Sequence, residues 1–129
     1  MSKARIAIIG AGLSGLVLGH QLKDTANVTL FEKSRGVGGR LATRYAEPYQ
    51  FDHGAQFFTV RSEEFQQFLA PLIDENLVTQ WDANFVEISG DEITGERLWG
   101  DNPSHYVGTP KMNAIGKYLA QALEVNLST

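Results

Sequence analysis

An α/β fold, opening on a parallel strand–helix–strand unit with a small antiparallel strand element behind it, is what three features of this 129-residue chain predict. These are an unbroken apolar run at the N-terminus, a helix-spaced apolar stripe after it, and a quick return to β-favouring residues. In order, "ARIAIIG" (Ala4 to Gly10) is short and almost continuously hydrophobic, which suits a parallel strand covered on both faces. "LSGLVLGHQLKD" sets Leu13, Leu16, Val17 and Leu22 at helical spacing. "NVTLFEK" (Asn27 to Lys33) returns to a strand pattern.

Beyond Lys33 the stretch to Thr59 is rich in glycine at its start and has few residues that demand regular structure, so a connection is expected. A helix is predicted over "SEEFQQFLAPL": Ser62 can cap its orphan amides, Glu63 and Glu64 suit its positive end, and Phe65, Phe68, Leu69 and Leu72 form one apolar face. Pro71 is expected to bend or end it. "LVTQW", "NFVEI" and "RLWG" read as short antiparallel strands, with "SGDE" as the turn between the last two. In "VGTPKMNAIGKYLAQAL" a helix is expected with Thr109 as cap, Pro110 at its first position and Met112, Ile115, Leu119 and Leu123 on its apolar face. Gly116 reads as a slight weakness in that helix. "EVNLST" alternates as a further strand would.

Composition narrows the function classes. A formal charge of -4 without a long basic patch gives no general attraction for nucleic acid or an anionic membrane. The absence of cysteine excludes disulfides, thiol catalysis and cysteine-ligated metals. His20, His53 and His105 have no short metal-binding spacing, so no metal site is expected. The N-terminal apolar run is too short to span a bilayer and lacks a secretory cleavage pattern, which gives a cytoplasmic address as the expectation.

Chemistry concentrates in "GAGLSG". Gly10, Gly12 and Gly15 stand directly after the first strand and across the start of the first helix, where they allow a tight turn, close approach of a pyrophosphate and close helix packing. The helix amides and dipole can then hold phosphates. Glu32 follows at the end of the second strand, about 20 residues on, where a carboxylate can accept ribose hydroxyls. This is the pattern of a Rossmann-like dinucleotide site. Gly38, Gly39 and Arg40 add a second loop of bare backbone and a cation, which suits a large extended dinucleotide but leaves nicotinamide and flavin cofactors both open.

The segments "IAIIGAGLSGLVLGHQL", "FEKSRGVGGRLATR" and "FDHGAQFFT" together resemble the N-terminal part of FAD-dependent amine-oxidase-like proteins, especially their bacterial renalase-like branch. The likeness is strong over residues 4–59 and compatible with the remainder. It implies FAD as cofactor, with Gly10, Ala11, Gly12, Leu13, Ser14, Gly15, Glu32 and Lys33 around the adenosine diphosphate. Gly38, Gly39 and Arg40 are implied as the second FAD motif, and Gly54, Ala55 and Gln56 as the part that passes the flavin's inner end. In the complete enzyme it implies hydride transfer to FAD from an amine or a reduced nicotinamide-like small-molecule substrate, with reoxidation by oxygen.

Relatives of this kind are longer, so the resemblance implies an incomplete N-terminal part of a larger two-domain fold. Residues 1–59 are then the dinucleotide-binding unit. Residues 60–108 begin the substrate-domain region, and 109–129 are a helix returning toward the first unit with a truncated next strand. A completing protein segment or a homo-oligomer is expected to cover the exposed sheet edge. Such a chain is expected to show little turnover alone, and no catalytic residue is assigned.

His53 is a candidate for proton transfer or an ordinary loop histidine. Gln56 can serve a flavin or substrate edge or fix its loop. Arg44 and Arg61 can meet phosphates or solvent, Tyr45, Phe57 and Phe58 can line the ring site or pack a core, and Trp81 and Trp99 can contact substrate or pack the strand element. The competing accounts are a non-catalytic dinucleotide-binding or oligomerising module and an NAD-dependent oxidoreductase fragment.

Overall fold

The computed structural model describes residues 2–100 and 103–129. β1 (Ala4–Ile9), α1 (Leu13–Leu22) and β2 (Ala26–Phe31) form the expected unit, with β1 and β2 parallel from Ala4 opposite Ala26 to Ile9 opposite Phe31. The next 28 positions are more ordered than the sequence suggests. A 3-10 turn at Gly39–Leu41 leads into an antiparallel hairpin of β3 (Thr43–Ala46) and β4 (Tyr49–Asp52), followed by the short β5 (Phe58–Thr59). The hairpin's alternation is too short to outweigh the surrounding glycines and charges in a sequence reading.

α2 (Glu63–Asp74) has its expected cap, the Phe65 amide donating to Ser62 Oγ at 3.2 Å. It does not end at Pro71 but continues to Asp74, because the exposed proline removes one ladder donor from a helix whose Leu69 and Leu72 remain buried. β6 (Val78–Gln80), β7 (Asn84–Ser89), β8 (Glu92–Leu98) and β9 (His105–Gly108) follow. They do not join into one antiparallel element. β9, which lies just before the Thr109 expected to cap the last helix, pairs with both β5 and β6, whereas β7 and β8 form a separate hairpin.

α3 (Asn113–Ala120) begins three residues later than a Pro110 start requires. The Thr109 hydroxyl is not a cap: it donates to the Asn76 carbonyl at 2.6 Å. No side chain caps the first turn, but the helix start is tied to β4, the Met112 amide donating to Asp52 Oδ2 at 3.1 Å. β10 (Glu124–Asn126) then lies parallel to β2 on its other side, so the sheet runs β1-β2-β10.

One core joins the two sheets: Ile8, Leu16 and Leu30 meet Leu69, Leu72 and Val78 through Met112, Ile115 and Leu119. Among the described residues the parallel sheet is covered on one face only. Ile8 and Leu30 pack against the helices, whereas Arg5, Ala7, Asn27 and Thr29 line an open concavity of about 480 Å³ on the other side. The expectation of a doubly covered first strand is therefore corrected. An apolar composition does not itself supply the second layer.

Leu30 is fully buried at the centre of this sheet. Leu30→Ala is expected to cost about 3 kcal/mol in urea unfolding, and Ser62→Ala about 1 kcal/mol. The two losses separate core packing from capping.

Candidate functional site: a cleft built of backbone

The C-terminal ends of β1 and β2 open into three loops that meet. The first, Gly10 to Gly15, enters α1 with Gly12 as its extended N-cap residue. This end has no capping side chain and no acidic residue in its first turn, unlike the Ser62-capped, acidic start of α2. No side chain caps its first-turn amides, and an uncapped helix start with a positive dipole is one that can accept an anion. A β-carbon at Gly15 would collide with the Gly10 carbonyl, so only glycine permits the close helix entry.

The second loop lies directly against the first. The Gly38 amide donates to the Ala11 carbonyl at 2.8 Å, and Gly12 and Gly38 form a parallel bridge. Gly38 takes φ 109°, a left-handed conformation that a larger side chain resists. A third strand of backbone joins them: the Ala55 amide donates to the Arg40 carbonyl at 2.8 Å, and a β-carbon at Gly54 would collide with that same carbonyl.

Together these loops line a groove of about 960 Å³. Its walls include Gly10, Gly12, Leu13, Ser14, Gly15, Gly38, Gly39, Arg40, Gly54 and Ala55. A second concavity of about 490 Å³ continues past the shared Ile9 and Gly10 to Phe31, Glu32, Lys33 and Thr129. Ala11 is fully buried beneath the first loop, and Gln56 is exposed outside both linings.

Glu32 is only 7% exposed and is already engaged. Its Oε2 accepts the Ala11 amide at 2.7 Å and its Oε1 the Ser34 amide at 2.8 Å. These bonds, Ser34's first and Ala11's second, hold its carboxyl below the usual carboxylate range despite the opposing effect of burial. Each carboxylate oxygen retains acceptor capacity for a ribose hydroxyl, so the group can knit the loops and still receive a ligand. The structural half of this role was missed in the sequence because it depends on the backbone of Ser34 and Ala11.

The other candidates lie elsewhere. His53, Arg44 and Arg61 are exposed and line neither concavity. His20 lies in the last turn of α1. Tyr45 faces α3, its hydroxyl 3.1 Å from Asn113 Nδ2 and 3.3 Å from Lys117 Nζ; these two contacts hold its phenol below the ordinary value. Phe58 stacks on Tyr106 and lies tilted against Phe65. Phe57, Trp81, Trp99 and His105 form a separate aromatic cluster, with the Trp99 and His105 rings 4.0 Å apart. Among the described residues no group of three or more His, Cys, Asp or Glu side chains is placed to hold a metal, and no helix is long and apolar enough to cross a membrane.

Residues 8–72, half of the chain, match the NAD(P)-binding Rossmann-like domain family. Coproporphyrinogen III oxidase of Mycobacterium tuberculosis (strain ATCC 25618 / H37Rv) is 34% identical over 76 residues, covering 56% of this chain and 17% of its own. Protoporphyrinogen oxidase 2 of Arabidopsis thaliana is 37% identical over 73 residues, covering 56% and 14%. The L-glutamate oxidase precursor of Streptomyces diastatochromogenes is 37% identical over 82 residues, covering 57% and 12%. The chain thus spans less than a fifth of these curated relatives.

Among solved structures, the tetrameric form of 2-methyl-3-hydroxypyridine-5-carboxylic acid oxygenase superposes with a TM-score of 0.56 at 14% identity, over 99% of this chain and 32% of that one. A putative protoporphyrinogen oxidase from Exiguobacterium sp. 255-15 gives 0.52 at 20% identity, over 67% and 20%. At such identities the likeness is one of fold: a Rossmann-like α/β fold with appended antiparallel strands.

Because the folded Glu32 carboxyl titrates below its unfolded value, its stabilising contribution is present above the usual carboxylate pKa of about 4.3 and is lost as pH falls through the folded value. Thermal unfolding of the natural chain and Glu32→Gln should therefore differ most near neutral pH and converge as pH falls through the folded value. A difference that stays constant across that range would count against the two amide bonds.

Proposed function

The chain belongs to the NAD(P)-binding Rossmann-like domain family, within the amine-oxidase- and porphyrinogen-oxidase-like FAD/NAD-dependent oxidoreductases, and we propose that it is the FAD-binding portion of such an enzyme. One observation carries this reading: a groove walled by three separate stretches of bare backbone runs on into a second concavity beside Glu32. An extended dinucleotide needs contacts along that length. The first glycine loop suits NAD and FAD alike, but the added Gly38–Arg40 and Gly54–Ala55 walls favour the larger flavin cofactor.

The residues present fit the cofactor's chemistry. The uncapped amides of α1 are available for its diphosphate, Arg40 supplies a cation beside them, and Glu32 takes ribose hydroxyls on its remaining lone pairs. On this reading Ala11 supports the first loop from beneath, Leu13, Ser14 and Lys33 border the two concavities, and Gly54 and Ala55 would meet the ring end, a role that Gln56, outside both linings, shares only through its place in the sequence. FAD, when bound, supplies the acceptor for a hydride equivalent. The chain's own residues bind and orient it.

For the whole protein we read the substrate as an amine or a reduced nicotinamide-like molecule, with residues 1–59 as the cofactor unit and 60–108 as the start of the substrate-domain region. Residues 109–129 return to the sheet. A renalase-like branch, a cytoplasmic address and a homo-oligomer or completing segment belong to the same proposal.

Titration of the purified chain with FAD, followed by flavin fluorescence, tests the cofactor. Saturable binding, stronger than that of NAD, is the expected outcome; a folded chain that binds no FAD would overturn the reading. Arg40→Ala is expected to raise the FAD Kd about tenfold, equivalent to ~1.4 kcal/mol.

A further inference from the structure

α3 presents two stripes to the rest of the molecule. Met112, Ile115 and Leu119 are buried in the common core. Beside them, Asn113, Gly116 and Lys117 follow at helical spacing and face the second glycine loop and the β3–β4 hairpin. Asn113 and Lys117 both reach the Tyr45 hydroxyl, whereas Gly116 meets the loop itself.

The contact at Gly116 is between backbones. A β-carbon there would stand 2.9 Å from Gly38 Cα and 3.4 Å from Gly38 N, with Leu16 Cδ1 at 3.7 Å. The nearest atoms are not the far end of a flexible side chain, so a methyl group must displace either α3 or the Gly38 turn. α3 is anchored by three buried apolar side chains and by Asp52 at its start. Gly38 is held on the other side by its amide bond to the Ala11 carbonyl and its bridge to Gly12. A β-carbon on Gly39 would lie 3.1 Å from Gly12 Cα, so the two cofactor loops are already in close contact.

We propose that Gly116 is a positioning residue for the cofactor groove: its bare backbone lets α3 press Gly38 against the first glycine loop and so sets the separation of the two loops. The ligand in this proposal rests on the FAD reading, but the clamp is a property of the chain itself. It makes the groove dependent on a helix that is distant in sequence from both motifs. Residues 1–59 then supply the walls, and α3 supplies the brace that holds two of them together.

Native-state hydrogen exchange on the ligand-free chain, read at individual amides, tests the clamp directly. The Gly38 amide is expected to be protected and to open together with the amides of α3. In Gly116→Ala, exchange at Gly38 is expected to rise at least tenfold while the amides of β2 stay within twofold of the natural chain. The FAD Kd should rise at least tenfold, whereas the Kd for AMP, which reaches only the first loop and the Glu32 side, should change less than twofold. General destabilisation would not produce that split.

Unchanged Gly38 exchange in Gly116→Ala overturns the proposal, as does Gly38 opening in the natural chain while α3 remains closed. If Gly116→Ala does not fold, the natural-chain measurement decides. A natural chain whose Gly38 is protected together with α3 but which binds no FAD defeats the cofactor reading and leaves the clamp supported.

Discussion

The fold depends on a close approach of backbone to backbone at the C-terminal end of β1. The first loop must turn back over its own strand, the second must lie against the first, and a third must reach the carbonyl of Arg40. Side chains at Gly15 or Gly54 would collide with carbonyl groups, and Gly38 occupies a conformation that most residues resist. What these constraints leave is a wall of peptide groups with fixed directions. Such a wall suits phosphate because its amide donors are already oriented and no side-chain rotamers need be frozen to use them.

A single buried carboxylate ties this wall to the sheet. Glu32 ends β2, yet its two oxygens reach the amides of Ala11 in the first loop and Ser34 in the connection that follows. The glycines therefore do not form a floppy turn. They are restrained from below by Glu32 and from the side by the Gly38–Ala11 bond. The residue type that suits a ribose also stabilises the apo loop, so a loss of ligand affinity in a Glu32 variant has two possible physical origins that pH dependence can distinguish.

Local chemistry made the first half of the fold legible. A hydrophobic run, a glycine pattern and a β-branched run required only neighbouring residues to interpret, and β1, α1 and β2 formed accordingly. The Ser62 cap was equally local. Interactions across distance were hidden: Asp52 accepting the Met112 amide at the start of α3, β9 pairing between β5 and β6, and Trp99 joining rings from several segments. The glycine positions lining the groove were visible as a motif, but their mutual support was not. Gly116 is the clearest example, since helix propensity assigns it only a cost, whereas the structure gives it a contact that alanine cannot make.

The architecture also separates holding a cofactor from choosing a reaction. The groove is made largely of backbone, whose oriented amides suit phosphate but carry little information about a substrate. The aromatic cluster of Phe57, Trp81, Trp99 and His105 lies in the appended strand region, and the parallel sheet has one open face with Ile9 83% exposed. None of these features supplies a positioned acid, base or nucleophile beside the groove. On the proposed reading, affinity resides in the glycine loops while reaction specificity requires walls beyond them. On that reading cofactor affinity and reaction specificity depend on different atoms, so substitutions in the glycine loops would alter the first without redefining the second.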